Sequence, residues 1–205
     1  ASDVYKRQDF DYEKIAELSQ NKKVLVICNT VKRAQKVYKQ LEEMAGNVFL
    51  LHAKYIQCHK QLLEKRIMGF SCSNDSGIWV TTQIVEASLD IDFDVLFTEM
   101  CTADSLLQRM GRCNRKGRYF PEEANVIIYD NRNGVGKKSI YDPTMYDRSL
   151  KLLAEYEGIP FGEDRKTFYM NQVYDPKEIK ETGYYKEIEE YLDKLDRIHP
   201  CLLYT

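Results

Sequence analysis

The apolar positions of this chain fall into two rhythms. Val24-Leu25-Val26-Ile27-Cys28 is an unbroken apolar run, and shorter runs recur at 48–51, 78–81, 95–97 and 126–129. Continuous runs of this length suit strands of a parallel sheet covered on both faces, because a strand with one wet face would alternate. Between the runs the spacing lengthens. Ala34, Val37, Leu41 and Met44, separated by three, four and three, predict a helix over 31–45. Thr30 stands at its N-cap position, and Gly46-Asn47 ends it. His52-Ala53-Lys54-Tyr55 leads into a second helix reaching about Met68, and 70–77 reads as a polar loop. Residues 1–20 give only a weak helical lead-in. The extremes, Ala1–Gln8 and Cys201–Thr205, do not fit what they flank and are set aside.

Alternating strands and helices with short connections predict the α/β class, a parallel sheet with helices on both faces and right-handed crossovers. In such sheets ligands bind beyond the carboxyl ends of the strands. Asn29-Thr30, His52, Thr82-Gln83 and the segment after Phe97 all fall there.

That last segment is the chemically richest. Wound as a helix, 104–117 places Leu106, Met110 and Cys113 on one stripe, with Gln108, Arg112 and Arg115 on nearly the opposite side. Gly111 leaves room for a close approach. Five cations and no acid lie between Arg109 and Arg118. Two guanidinium forks and an amide can meet an anion, or can form a solvated basic face. This stretch alone leaves both readings open.

Composition narrows the classes. The chain has 205 residues, 43% apolar and 30% charged, with a net charge of −2. This describes a globular protein rather than one generally coated for nucleic acid, so any such contact is local. No apolar run approaches the roughly 20 residues needed to span a bilayer, and no leader is evident. The six cysteines lack a framework spacing, so reduced thiols and a cytoplasmic setting are expected. His52, Cys58 and His59 lack a fourth partner at a usual spacing for a metal. Asp90, Asp92 and Asp94 could share a strand face and a divalent ion, but separate duties at a strand entry are favoured. The P-loop likeness at 133–139 fails, because Lys138 stands where Ser or Thr is needed, and Pro143 delays the helix. The Gly- and Asn-rich stretch 133–142 is read as a linker. It separates a lobe at 9–132 from a helical, tyrosine-rich extension at 143–200, whose last helix aligns Ile188, Leu192, Leu195 and Ile198.

Gln108-Arg109-Met110-Gly111-Arg112-Cys113-Asn114-Arg115 resembles motif VI of superfamily 2 helicases, Q/H-R-x-G-R-x-x-R. Thr81 to Asp92 resembles their motif V, Val24–Thr30 motif IV, and Leu50–Tyr55 the segment after it, all in the family's order. The wording Glu86-Ala87-Ser88-Leu89-Asp90, with Asp92-Phe93-Asp94 trailing, is most similar to the CRISPR-associated helicase-nucleases of type I systems.

The resemblance implies a RecA-like fold and the second of two such lobes. It implies Arg112 and Arg115 as arginine fingers for the γ-phosphate of ATP, Gln108 as its sensor, and Asp90 as the carboxylate on the ribose or the fingers. Asn29, Thr30 and Thr82 match positions touching the nucleic-acid backbone. Gln83, His52 and Lys54 are grouped with them, although the family more often has Arg where Lys54 stands. ATP and Mg2+ would be held mainly by a first lobe, since this sequence has neither a P-loop lysine nor an Asp-Glu box. The implied partners are single-stranded DNA, the first lobe, a nuclease domain and a CRISPR RNA-guided surveillance complex, with no membrane. Two other readings stay open: a general superfamily 2 DNA or RNA helicase lobe, and a non-catalytic module binding nucleic acid or protein.

Overall fold

The computed structural model describes residues 2–6, 9–87, 89–117, 124–136, 138–180 and 182–197. Ser88, Arg118, Lys137, Ile198 and the stretch 201–205, singled out above, lie outside them. In chain order the elements are β1 (Ser2–Lys6), α1 (Tyr12–Leu18), β2 (Lys23–Ile27), α2 (Val31–Glu42), β3 (Val48–Leu51), α3 (Gln57–Cys72), β4 (Gly77–Thr81), α4 (Ile84–Ala87), β5 (Val95–Glu99), α5 (Ala103–Met110) and β6 (Val126–Asp130). Then follow α6 (Pro143–Leu153), a 3-10 turn (Ala154–Tyr156), α7 (Glu163–Val173), α8 (Pro176–Ile179) and α9 (Gly183–Arg197).

The strands form one sheet in the order β1-β6-β5-β2-β4-β3, with every pairing parallel. The α/β reading therefore holds, with one addition. Residues 2–6, set aside on sequence, pair with β6 at the sheet edge.

Successive residues of β2 feed two cores, as a buried parallel strand requires. Val24, Val26 and Cys28 join Phe10, Ile15, Ala34, Val37 and Leu41 under α1 and α2. Leu25 and Ile27 join Trp79, Leu96, Leu106 and Ile128 on the opposite face. Thr30 caps α2, its hydroxyl accepting from the Arg33 amide at 3.2 Å. That helix stops at Glu42, earlier than its apolar spacing predicts, and leaves Met44 exposed. The expected loop at 70–77 begins later, because α3 runs on to Cys72 and packs Phe70 beside Trp79 and Phe93. Five cysteines, at 28, 58, 72, 101 and 113, are free thiols.

Residues 133–142, expected as a linker, are bonded into the lobe. Asn133 donates its side-chain amide to the Glu99 carboxylate at 3.2 and 3.3 Å, and Val135 bridges to Tyr141. Gly134 has φ +79, and its bare α-carbon faces Asn29, where an added Cβ would lie 3.2 Å from that residue's own. The extension then closes over the second core, burying Met145, Tyr146, Leu153, Tyr169 and Val173. Its hydroxyls act as pins. Tyr146 donates to Asp130 at 2.6 Å, and Tyr169 donates to the Ser149 carbonyl at 2.9 Å. Ser149 accepts from the first amide of α5, at Ala103, over 3.0 Å, which satisfies a donor that the helix cannot. On α9, Ile188, Leu192 and Leu195 stay exposed. No helix among the described residues is long and apolar enough to cross a membrane.

Because Tyr169 is fully buried in the core that also contains Trp79, lobe and extension should unfold together. Tyr169→Ala is expected to cost about 3–5 kcal/mol, by analogy with large aromatic truncations. Trp79, the sequence's one tryptophan, should report a lower denaturant midpoint in a single transition. An unchanged Trp79 transition would show the extension to be an independent unit.

Candidate functional site

The sheet order sets β3, β4, β2 and β5 side by side, so the residues leaving their carboxyl ends form one edge. His52, Thr82-Gln83 and Asn29-Thr30 lie along it. Asn29 is fully buried: its amide N–H donates to Glu99 Oε2 at 2.6 Å. Its side-chain nitrogen donates to the carbonyls of Met100 and Asn133 at 2.8 and 2.7 Å, while Oδ1 has no partner among the described residues. Gln83 donates from Nε2 to the Asn29 carbonyl at 2.7 Å and to the Tyr141 hydroxyl at 3.3 Å. Thr82 is buried, and Lys54 is exposed.

His52 is buried, stacked on Tyr55 with ring centroids 4.3 Å apart and 3.4 Å from the Gln35 amide through Nε2. Burial pushes its pKa below the usual value, with the Lys54 charge pushing the same way, so the ring is held neutral.

The arginine segment is built differently from the helix that its spacing predicts. The helix ends at Met110 with Gly111 as its C-cap, and 111–117 is a series of turns in which Asn114 and Gly117 take positive φ. Cys113 stays buried with Leu106 and Met110, but through a parallel bridge to Phe93, not through helical stacking. Arg112 and Arg115 thus leave the helix, whereas Gln108 remains on it, exposed. A Cβ on Gly111 would meet only the carbonyls of Leu107 and Gln108 at 3.4 Å, so packing within this chain does not require glycine there.

The turn carries the arginines to the other end of β5, away from the carboxyl edge. Its amides at Arg115 and Lys116 donate to Asp92 at 2.7 and 3.3 Å, while Asp94 accepts from the Lys23 amide at 2.8 Å, where β2 begins. Asp90 pairs with Arg115. The three aspartates therefore have three separate tasks. Arg112 directs its terminal nitrogens to the carbonyls of Leu89, at 2.6 Å, and Glu86. Its Nε is buried without a partner among the described residues. Burial lowers its pKa, the neighbouring Arg115 adds to the effect, and Asp90 opposes both.

Sequence reasoning passed over four residues that organise this arrangement: Glu86, Glu99, Arg109 and Tyr141. Arg109 is fully buried. Its Nε donates to Glu86 Oε1 at 2.8 Å, Nη1 to Thr98 Oγ1 and the Glu99 carbonyl at 2.9 Å each, and Nη2 to the Tyr141 hydroxyl at 2.7 Å. Burial opposes its charge, but Cys101, Tyr141 and Glu86 around it more than compensate, so its pKa is raised. The signal was present: Arg109 follows Leu106 by three and shares its stripe with Met110 and Cys113. Glu99, likewise, is in step with Val95 and Phe97 on a buried strand face. A charge in register with core positions marks a buried network.

Residues 20–118 match the family model for the CRISPR-associated nuclease/helicase Cas3, C-terminal. The CRISPR-associated nuclease/helicase Cas3 of Methanothermobacter thermautotrophicus strain Delta H is 31% identical over 192 residues, covering 89% of this chain and 22% of that protein. The CRISPR-associated endonuclease/helicase Cas3 of Escherichia coli strain K12 is 32% identical over 182 residues, covering 82% and 20%. The chain thus spans about a fifth of the length of these curated relatives. The crystal structure of T. fusca Cas3-ATP shares the fold, with a TM-score of 0.73 at 20% identity over 95% of this chain and 25% of that one.

The depressed His52 pKa gives a pH test. In the unfolded chain this histidine titrates near its ordinary 6.5, and in the folded chain lower. Below about pH 6.5 the unfolded state therefore binds more protons, and stability falls as pH drops. Comparing urea midpoints at pH 7.5 and 5.5, wild type should lose more than His52→Gln does. Equal losses would contradict the burial of a neutral ring.

Proposed function

Because the chain belongs to the CRISPR-associated nuclease/helicase family, within its C-terminal helicase region, we propose that it works as the second RecA-like lobe of an ATP-dependent DNA helicase or translocase in CRISPR interference. The observation that carries this reading is the paired state of Arg112 and Arg115 on one short turn. Arg112 keeps a buried N–H with no acceptor among the described residues, and Arg115 is half-exposed on a surface carboxylate. An unpaired buried donor is costly and suits the arrival of an anionic oxygen. Phosphoryl transfer needs such cations against developing charge on the γ-phosphate. Gln108, exposed one turn upstream, would sense the same group. Asp90 would orient Arg115 or contact the ribose.

ATP would be held mainly by the first lobe, together with Mg2+. This lobe's task is then to complete a site across a cleft, and the isolated chain should not turn ATP over. The carboxyl edge, with Thr30, His52, Lys54, Thr82 and Gln83 over the buried pin Asn29, would form part of the single-stranded DNA track. Closing and reopening of the lobes with each nucleotide would alternate the grip on DNA and give movement. The first lobe, a nuclease domain of the same protein and a CRISPR RNA-guided surveillance complex are the partners this role requires.

In the full-length protein, Arg112→Ala is expected to lower DNA-stimulated ATP turnover by about a thousandfold or more, the scale of an arginine finger. Single-stranded DNA binding should persist. Near-normal turnover in that variant would sink the finger assignment.

A further inference from the structure

The two groups of proposed site residues lie at opposite ends of β5, and one hydroxyl touches the path between them. Tyr141 Oη accepts from Gln83 Nε2 at 3.3 Å on the DNA-edge side and from Arg109 Nη2 at 2.7 Å on the finger side. Gln83 opens the single turn of α4, since its carbonyl accepts from the Glu86 amide at 2.9 Å. Glu86 then binds Arg109 through its carboxylate and Arg112 through its carbonyl. Two short bonded routes therefore connect Gln83 with Arg112, one through α4 and one through Tyr141 and Arg109, whose carbonyl accepts from the Arg112 amide at 2.9 Å.

We propose that Tyr141 is a positioning residue that couples occupancy of the DNA edge to the arginine turn. The proposal rests on the reading of this lobe given above. Tyr141 belongs to neither proposed binding set, and it sits in a segment that looks like a connector on sequence. Its two neighbours here are both donors, so the phenol oxygen must accept, a role phenylalanine cannot fill. Burial pushes its pKa up to about 12, with Arg109 opposing, which keeps the phenol un-ionised at neutral pH. Tyr174 supplies a natural comparison. It donates to Asp104 at 2.6 Å, in the first turn of the same helix α5, and among the described residues it makes no bond to Gln83.

The test measures ATP turnover of the full-length protein with and without single-stranded DNA. Tyr141→Phe should lose at least about fivefold of the DNA stimulation, the low end of measured coupling between sites, while its DNA affinity stays at the wild-type value. Tyr174→Phe should keep the stimulation. Combining Tyr141→Phe with Gln83→Leu should cost less than the two separate losses together, because both remove one link. Undiminished stimulation in Tyr141→Phe, an equal loss in Tyr174→Phe, or strict additivity with Gln83→Leu would each overturn the coupling role. A wild-type protein with no DNA-stimulated turnover would instead overturn the helicase reading itself, and the coupling with it.

Discussion

A fully buried guanidinium decides how this lobe is put together. Arg109 lies in an apolar core, where an unpaired charge would be prohibitively costly and where even a paired one gains little net stability. Its value is geometric. The fork is rigid and planar, so it fixes the direction of each partner it binds. Glu86, Thr98, the Glu99 carbonyl and Tyr141 come from α4, β5 and the segment after β6. Each must arrive in place for the charge to be satisfied, and three residues further on the chain delivers Arg112. The position of the arginine turn thus follows from how a buried cation is neutralised.

The end of β5 is where both faces of the sheet meet. The Glu99 carbonyl serves Arg109 in one core, while its carboxylate points to the other. There it accepts from the Asn29 amide, Arg33 Nε at 3.2 Å, Asn131 Nδ2 at 2.7 Å and Asn133. A buried carboxylate with this many donors is compensated, and it holds the exits of β2 and β6 on either side of its own strand. The carboxyl edge is therefore pre-organised from beneath. Asn29, fully buried, is part of that frame, and the groups able to face a ligand are its neighbours.

The sheet was largely legible in the sequence because continuous apolar runs have few other uses. The starts and ends of β2 to β6 lie within two residues of those runs, and β3 coincides with its own. The arginine segment was legible in burial but not in backbone. Leu106, Met110 and Cys113 are buried as their spacing predicts, yet a bridge to Phe93 can bury Cys113 as well as another helical turn would. Periodicity reports which residues face inward, not which dihedrals bring them there. Arg109 and Glu99 were passed over for a related reason. Their partners lie between 10 and 70 positions away, a pairing that only the folded sheet brings about. The 133–142 segment read as a connector because Gly and Asn suit turns, but the same side chains also suit a buried amide network with Glu99.

Three arginines within seven residues come to different ends, and the difference follows from surroundings rather than from residue type. Arg109 has charged and neutral acceptors on all three nitrogens in a dry core, so releasing it would strand Glu86. Arg112 is bound only to backbone carbonyls, neutral acceptors that a phosphate oxygen would outcompete through a charge-assisted bond. Arg115 holds Asp90 at the surface, half-exposed against a carboxylate that is 84% exposed. Surface pairs of this kind are worth about 0–1 kcal/mol, too little to resist a dense anion. The lobe therefore keeps one arginine that cannot leave its partners and two that are ordered yet exchangeable. The proposed site, completed from across a cleft, would need that combination, because fingers already committed to strong partners could not be recruited and wholly free ones would have to be ordered at each turnover.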